Sequence, residues 1–455
     1  MGRRTVLGAF AALPLVPVPA WARPPARPVP TARRAVALAG LPGVVAHARL
    51  DRAGDPLADA ALAQAPMMPA SLLKAVTALY ALDRLGAGRT FATRVLRAGD
   101  LLVLAGGGDP VLSTDDLDRL AGDLVAAGPP APARFAVWGG ALPRLAEIAP
   151  EQADHLAYNP ALSGMMLNFN RVHLGWRQGG SGMTLEARAA RRSPRAYSIT
   201  AAPAAQADPL SWHRDGARER WTVSRGAVKQ PGSRWLPVRG PELYAGDVFQ
   251  TLCRARGLVL PAPEVIADLP TGEVVASHAS PPLDTILRGM LAFSTNLTAE
   301  AVGLHASGAS DPAASARSMG GWLAGQGHGQ GFVLADHSGL SADSRVTAEG
   351  MVRLLAGPGL AAGLPALLRA DPLADDLGPN PGHAARVRAK TGTLNFVSNL
   401  AGYADRGAGP FSAFAVLTAD PPHQQATAGQ ELPPGVLAWT RRSKRLQGAI
   451  LSAWT

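Results

Sequence analysis

Along the chain the first clear pattern is an alternation of apolar and polar residues from Gly43 to Leu50, which predicts a strand, followed by a turn over Asp51–Pro56 around Gly54. Past Pro69 the period changes. Apolar residues fall at 72, 73, 76, 79, 80 and 82 and stop at Gly86, which predicts a helix with proline at its start and glycine past its end. The stretch 87–265 has another texture: short strand-like runs (Leu101–Ala105, Phe135–Trp138, Val172–Trp176), many glycines and prolines, and a polar portion over 186–240. After about 280 the helical period returns, at Leu283–Leu291, Leu297–Leu304, Ala313–Leu323 and Ala348–Leu355. Strands Leu394–Ala404 and Phe411–Leu417, joined by a turn through Asp405–Pro410, precede a last helix over Val436–Leu451. There is no internal repeat. The expected organisation is α/β: residues 23–86 and 266–455 form one domain, and 87–265 is an inserted region of one or two small mixed α/β domains.

The first 22 residues stand apart. Arg3 and Arg4 lead an uncharged run from Thr5 to Pro19 that ends in Ala20-Trp21-Ala22, the three-part pattern of a cleaved export signal, either ordinary or twin-arginine. Residues 23–40, rich in Pro, Arg and Ala, predict a loose lead. No later segment reaches the roughly 18 apolar residues that span a bilayer, so no integral membrane segment is expected in the mature chain. Cys253 is alone and cannot form an internal disulfide. The ten histidines are scattered without an H-E-x-x-H pair, so neither a metal nor another cofactor is expected. Losing Arg3 and Arg4 takes the formal charge from +10 to +8 (10 − 2). Export argues against nucleic acid as the partner of this charge, and an anionic cell envelope fits both facts.

The basic residues are almost all arginine. Lysine occurs at 74, 229, 390 and 444 alone among 44 basic residues, and a lysine can lose its proton where an arginine cannot. Two of the four sit in short motifs that occur in order: Ser71-Leu72-Leu73-Lys74, Ser294-Thr295-Asn296 and Lys390-Thr391-Gly392. Three residues apart at a helix start, Ser71 and Lys74 share a face. A serine hydroxyl becomes a good nucleophile when a neighbouring base takes its proton. Lys74 can be that base if burial and a second cation such as Lys390 lower its pKa. The run Gly106–Gly108 before Asp109-Pro110 lacks the Gly-Lys-Ser/Thr of a phosphate loop and predicts a plain turn.

S-x-x-K with S-x-N and K-T-G is a signature of penicillin-binding proteins and serine β-lactamases. The likeness runs further. Pro66–Ser71, Gly99–Leu104 with Gly106–Pro110, Asn168-Phe169-Asn170 and Ser294–Glu300 resemble the D-alanyl-D-alanine carboxypeptidase/endopeptidase family of low-molecular-mass (class C) penicillin-binding proteins. That family carries a long insertion between its first and second motifs, as this chain does. The resemblance implies a transpeptidase-like domain, an antiparallel sheet flanked by helices, with inserted small domains. It implies an exported, periplasmic serine D,D-carboxypeptidase and D,D-endopeptidase that acts on peptidoglycan stem peptides and is inhibited covalently by β-lactam antibiotics.

By the same resemblance Ser71 attacks the carbonyl of the penultimate D-alanine, Lys74 accepts its proton, and Ser294 relays a proton to the departing amine. Asn296 holds substrate and Lys74. Lys390, Thr391 and Thr393 receive the terminal carboxylate, Gly392 leaves room for substrate backbone, and the N–H groups of Ser71 and Thr393 form an oxyanion hole. Arg345 and Asn168 are candidates to grip the acidic side chain of the stem peptide. One departure is His337 in Asp336-His337-Ser338-Gly339, where the family has glycine; it puts substrate contacts of that turn in question. A β-lactamase of the same fold and a catalytically silent wall-binding protein are the other readings. The former lacks its Glu-x-x-Leu-Asn segment, and the latter is opposed by three intact motifs. The last helix, with Arg441, Arg442, Lys444 and Arg445, either rests on an anionic membrane or packs its apolar face on the central sheet, the reading adopted.

Overall fold

The structure, a computed structural model, describes residues 31–50, 59–128, 130–216, 218–378, 386–405 and 412–455. The expected leader over 1–22, the turn over Asp51–Pro56 and, past its first residue, the turn through Asp405–Pro410 lie outside the described residues. Thr31 caps helix α1 (Ala32–Ala39) by accepting from the Arg34 amide at 3.2 Å. Residues up to 40, expected to be loose, are therefore ordered from this cap onward. Ala32 packs against Leu446, Ile450 and Leu451 at the far end of the chain, with Ala35 and Val36 beside it, a contact that local pattern cannot reveal.

Strand β1 (Val44–Leu50) follows, then a 3-10 turn over Ala70–Leu72 that leads into α2 (Leu73–Leu85). Gly86 ends α2 with φ +79°, a conformation that costs glycine nothing. The chain then forms β2 (Ala92–Ala98), β3 (Leu101–Ala105), α3 (Thr114–Ala126), β4 (Arg134–Trp138), β5 (Arg171–Trp176), β6 (Thr184–Glu186), β7 (Ile199–Ala204), β8 (Leu210–Asp215), β9 (Arg218–Ser224), β10 (Gly232–Pro237), α4 (Pro241–Arg254), β11 (Pro263–Ile266) and β12 (Glu273–Ala279). Its sheets run β11-β4-β3-β2-β12, β10-β5-β6 and β7-β9-β8, around one apolar core that includes Leu104, Leu120, Phe135, Trp221 and Phe249. The expected boundary at 265 falls inside the first of these sheets. β12 returns to pair with β2, from Glu273 opposite Arg97 to Ala279 opposite Ala92, so strand pairing carries this unit on to Ala279.

Beyond it come α5 (Leu283–Phe293), α6 (Asn296–Ser307), α7 (Pro312–Gly325), β13 (Phe332–Val333), β14 (Arg345–Val346), α8 (Ala348–Leu354), α9 (Leu364–Leu367), β15 (Arg369–Ala370), α10 (Ala374–Leu377), β16 (Arg386–Leu394), β17 (Val397–Asp405), β18 (Ser412–Ala419), α11 (Pro421–Ala426) and α12 (Val436–Trp454). The central sheet has the order β1-β18-β17-β16-β15 with every neighbour antiparallel. The strand expected to begin at Leu394 is in fact a second strand. Phe396, at φ +56°, closes a two-residue turn between β16 and β17, and Asn395-Phe396 lacks the glycine that would have marked it.

Alternation along the central strands divides the two faces of this sheet. Val397, Ala401 and Tyr403 of β17 meet the core under α2 and α8, whereas Leu400 and Ala404 meet α1 and α12. On β16, Val387 and Ala389 belong to the α12 side, so Lys390 and Gly392 point to the α2 side. The same parity decides where chemistry can occur, because β15 pairs with β16 at Arg388 and Ala389 alone. Past residue 390 that edge of β16 carries no strand among the described residues.

The unusual His337 is fully buried in this framework. Its ring stacks on Tyr80 of α2 at 6.4 Å, and its Nε2 lies 2.7 Å from Ser315 Oγ of α7. Burial pushes its pKa down to about 3, so the ring is neutral. Gly303 of α6 supplies the room, since a Cβ there would lie 2.2 Å from His337 Cγ. Gly303→Ala is expected to destabilise the fold by about 1–3 kcal/mol. Combining it with His337→Gly should recover most of that loss, as read by chemical denaturation of the two single variants and the double.

Candidate active site

Ser71 lies in the 3-10 turn that opens α2. Three contacts hold this turn in place. Asn399 of β17 donates from Nδ2 to the carbonyls of Met68 and Pro69 at 2.8 and 3.0 Å. The absent side chain of Gly392 lets β16 approach, since a Cβ would lie 2.5 Å from the Pro69 carbonyl oxygen. Gly339, at φ +76°, fits beneath, where a Cβ would lie 1.9 Å from the Ala70 carbonyl oxygen. The missing Cβ of Gly392 thus makes room for the serine turn, a use that the sequence reading did not foresee.

Lys74, the second residue of α2, is fully buried. Its Nζ lies 2.9 Å from Ser71 Oγ, 2.8 Å from Asn296 Oδ1 and 2.7 Å from the Ser338 carbonyl oxygen. A neutral amine has two N–H groups and one lone pair. The amide and carbonyl oxygens take the two N–H groups, which turns the lone pair toward the serine hydroxyl. Burial lowers Lys74 to about 7, against the opposing pull of the Asp336 and Glu300 carboxylates. Of the two causes anticipated from sequence, burial is the one that lowers Lys74, and Lys390 is not among them. The neighbouring charge bears on Lys390, held well below its ordinary value by burial first and then by Lys74 and Arg369.

Across the cleft, α5 ends in a left-handed residue, Ser294 at φ +58°. This sharp break turns the chain into α6, whose first residue is Asn296. Ser294 Oγ accepts from Lys390 Nζ at 3.0 Å, and Lys390 also donates to the Thr391 carbonyl oxygen at 2.8 Å. Asn296 Nδ2 donates to the Tyr158 carbonyl oxygen at 3.0 Å, so its amide joins Lys74 to the inserted region. Thr391 is half-buried and Thr393 exposed on the open edge of β16. The structure thus gathers two hydrogen-bonded groups, Ser71 and Asn296 around Lys74 and Ser294 with Lys390, with Gly392 against the serine turn and Thr391 and Thr393 next to it on β16.

Two expected substrate contacts are not brought to these groups. The Asn168 amide is spent on Thr114, accepting from its N–H at 3.0 Å and donating to its Oγ1 at 2.8 Å; it fastens the start of α3. Arg345 donates to its own loop, at the Ala342 and Ser344 carbonyls, and remains half-exposed. His337 points into the packing between α2, α6 and α7 and away from the cleft, so what it changes is that packing.

The sequence reading missed a buried acidic support. Glu300, one turn along α6 from Asn296, accepts from the amides of Ser338 at 2.8 Å and His337 at 3.2 Å. Asp336 accepts from Leu340 N, Ser341 N and the Ser338 and Ser344 hydroxyls. Together they fix the loop whose Ser338 carbonyl meets Lys74. Burial and the Asp336 charge raise Glu300 to about 8. The available signal was a glutamate inside the apolar run Leu297–Leu304, four residues after Asn296.

A family model described as the D-Ala-D-Ala carboxypeptidase 3 (S13) family matches residues 44–441. A D-alanyl-D-alanine carboxypeptidase from Actinomadura sp. (strain R39) is 28% identical, over 74% of this chain and 70% of that one. Among solved structures, penicillin binding protein 4 (dacB) from Haemophilus influenzae superposes with TM-score 0.69 at 18% identity, covering 90% of this chain and 97% of that one. The predatory endopeptidase Bd0816 from Bdellovibrio bacteriovorus gives TM-score 0.51 at 15% identity, with 90% and 93% covered. Both structures share the fold.

If a neutral Lys74 is the base, acylation of Ser71 by an activated ester should speed up as pH rises through a midpoint near 7. Asp336→Asn keeps an oxygen to accept from Leu340 N and Ser341 N and removes the larger of the two carboxylate pulls on the amine, so that midpoint is expected to move to lower pH. A stopped-flow pH profile of both proteins measures it.

Proposed function

The chain belongs to the D-Ala-D-Ala carboxypeptidase 3 (S13) family, a family of serine peptidases, and on that premise we propose that it trims and cuts peptidoglycan stem peptides through an acyl-enzyme on Ser71. The observation that carries this reading is the 2.9 Å contact between a fully buried lysine amine and the Ser71 hydroxyl, beside a second lysine–serine pair at 3.0 Å.

In the proposed reaction Lys74 Nζ takes the hydroxyl proton as Ser71 Oγ bonds to the carbonyl carbon of the penultimate D-alanine. The oxyanion that forms is held by the N–H groups of Ser71 and Thr393, a device worth about 3 kcal/mol per donor in enzymes where it has been removed. The carbon–nitrogen bond then breaks. The leaving D-alanine nitrogen takes the Ser294 hydroxyl proton while Ser294, which Lys390 hydrogen-bonds, takes the proton carried by Lys74, so the base regains neutrality. Water next attacks the ester carbon and gives a proton to Lys74; the carbon–Oγ bond breaks, Ser71 Oγ takes that proton from Lys74, and the shortened peptide leaves. Before reaction, the terminal carboxylate is received by Lys390 and the Thr391 and Thr393 hydroxyls, for which a cation with flanking donors is the fitting partner. The open edge of β16 supports an extended peptide as an added strand.

The same geometry supports cleavage of D,D cross-links, in which the leaving amine belongs to a second stem peptide; an open cleft edge is what a bulkier leaving group requires. It also supports covalent capture of β-lactams, whose strained amide meets Ser71 in place of the peptide; the Haemophilus influenzae protein has been solved complexed with a β-lactam. We further place the enzyme in the periplasm, where this substrate lies.

Incubation with fluorescent penicillin and with purified wall fragments tests the proposal. Wild type should retain a covalent label, release D-alanine and convert cross-linked dimers to monomers by mass spectrometry. Ser71→Ala should take no label and lose at least about a thousandfold in rate. A label that decays in seconds would make the chain a β-lactamase, and no label on folded wild type would sink the acyl-enzyme.

A further inference from the structure

In the proposed reaction the terminal carboxylate of the substrate meets Lys390 and its scissile carbonyl meets the Thr393 N–H, so the rest of the stem runs out past Leu394, at the end of β16. Two walls face each other there. One is the inserted loop 145–159, which is firmly held. Leu145 and Leu162 exchange backbone hydrogen bonds at 2.9 and 3.0 Å, Asn159 Oδ1 accepts from the amides of Ile148 and Ala149 at 2.9 and 2.8 Å, and the buried Arg239 donates to the Ala146 carbonyl oxygen at 3.0 Å. The other wall is the segment 427–435 between α11 and α12. Its Gln430 carbonyl oxygen accepts at 2.7 Å from Nδ2 of Asn395, in the turn between β16 and β17.

Glu431 joins the walls. Its carboxylate lies 3.2 Å from His155 Nε2 on the inserted loop and 3.4 Å from the Arg234 guanidinium of β10. No other side chain of this segment makes a hydrogen bond or ion pair to the inserted region among the described residues. The charge of Glu431 is also felt at the Tyr158 hydroxyl, whose pKa is raised by burial and then by this carboxylate. Through the bridge the contacts close a circuit around the end of the cleft. It runs from Lys74 through Asn296 and Tyr158 along the inserted loop to Glu431, and from Gln430 through Asn395 and β16 back to the serine turn.

A closed circuit treats two substrates differently. A linear stem ends in a free D-alanine and can pass through end first. A cross-linked stem is bulky on both sides of the scissile bond, with glycan on one and a second stem on the other, so it enters sideways, through an opened circuit. The bridge is the weakest link. Side chains of Glu431 and Arg234 are 46% and 29% exposed, and an ion pair in contact with water is weak and screened by salt.

We propose that the Glu431 bridge is a gate that sets how much cross-link cleavage the enzyme performs beside the trimming of free stem ends. Closed, it admits linear stems; open, it admits cross-links as well. The gate rests on the peptidase reading of the site, and Glu431 acts on which substrate reaches Ser71, with no part in the bond-breaking steps.

The full-length protein is to be given purified linear disaccharide pentapeptide and, separately, its cross-linked dimer, with D-alanine release and conversion of dimer to monomer followed by mass spectrometry. Glu431→Gln is expected to raise the dimer rate relative to the linear rate by about two- to fivefold, the range that one such ion pair can supply, with acylation of Ser71 by an activated ester unchanged. Glu431→Lys, which repels Arg234, should raise that ratio at least as far. Glu431→Lys combined with Arg234→Glu should return it toward the wild-type value, a rescue that general damage to the fold would not give. Raising salt from about 0.05 M to about 0.5 M should increase the ratio of wild type and leave that of Glu431→Gln flat. An unchanged or lower ratio in Glu431→Gln, or a charge-swapped protein no closer to wild type than Glu431→Lys, would overturn the gate and leave the peptidase reading standing. Absence of D-alanine release from the linear stem by wild type would sink that reading, and the gate with it. If a variant fails to fold, the salt response of wild type decides alone.

Discussion

A lysine amine stripped of water is the constraint around which this molecule is arranged. Lys74 is buried completely, and an ammonium in such a place pays a large solvation cost unless it gives up its proton or finds charged partners. The chain uses both outcomes in proportion. Burial pulls the amine down to about 7, while Asp336 and Glu300 pull it back. With burial the larger effect and the amine near 7, its neutral and protonated forms are both populated at neutral pH, which suits the proposed base of an acyl transfer.

The surroundings follow from the need to hold that amine still. Asn296 and the Ser338 carbonyl occupy two of its contacts, and each is braced from behind. The Ser338 loop is gripped by two buried carboxylates, and the serine turn by Asn399, Gly392 and Gly339. Burying carboxylates is costly, and here each is repaid by several hydrogen bonds from backbone amides or hydroxyls. The inserted region enters the same scheme through Tyr158, whose carbonyl orients the Asn296 amide. It is also tied to the loop before α12, where Glu431 lies 3.2 Å from His155 and 3.4 Å from Arg234. The insertion is therefore part of the wall of the site, and the central domain does not complete the cleft by itself.

The split of roles between the two faces of the central sheet has a simple origin. A strand alternates, so Lys390 and Gly392 on one face imply Val387 and Ala389 on the other. The first face carries the lysine and the gap that admits the serine turn. The second needs only an apolar cover, which α1 and α12 supply, and a cover is free to carry any charge on its outside. Catalysis and surface properties can thus change independently across the thickness of one sheet.

The sequence by itself marked the candidate nucleophile, the candidate base and the ordered motifs that meet around them, because a helix start with serine and lysine three residues apart is a local fact. It also determined the longer helices, whose apolar period is unbroken, and the family, whose motifs are in place. Only the tertiary structure decided what depends on distant residues meeting. Residues 32–39 become helical against α12; β16 and β17 divide at Phe396 without a glycine; Glu300 and Asp336 converge on one loop; Asn168 turns to Thr114, and His337 finds its space in Gly303. None of these follows from local pattern. Each is set by which side chain fills which gap, and such gaps exist once the chain has closed on itself.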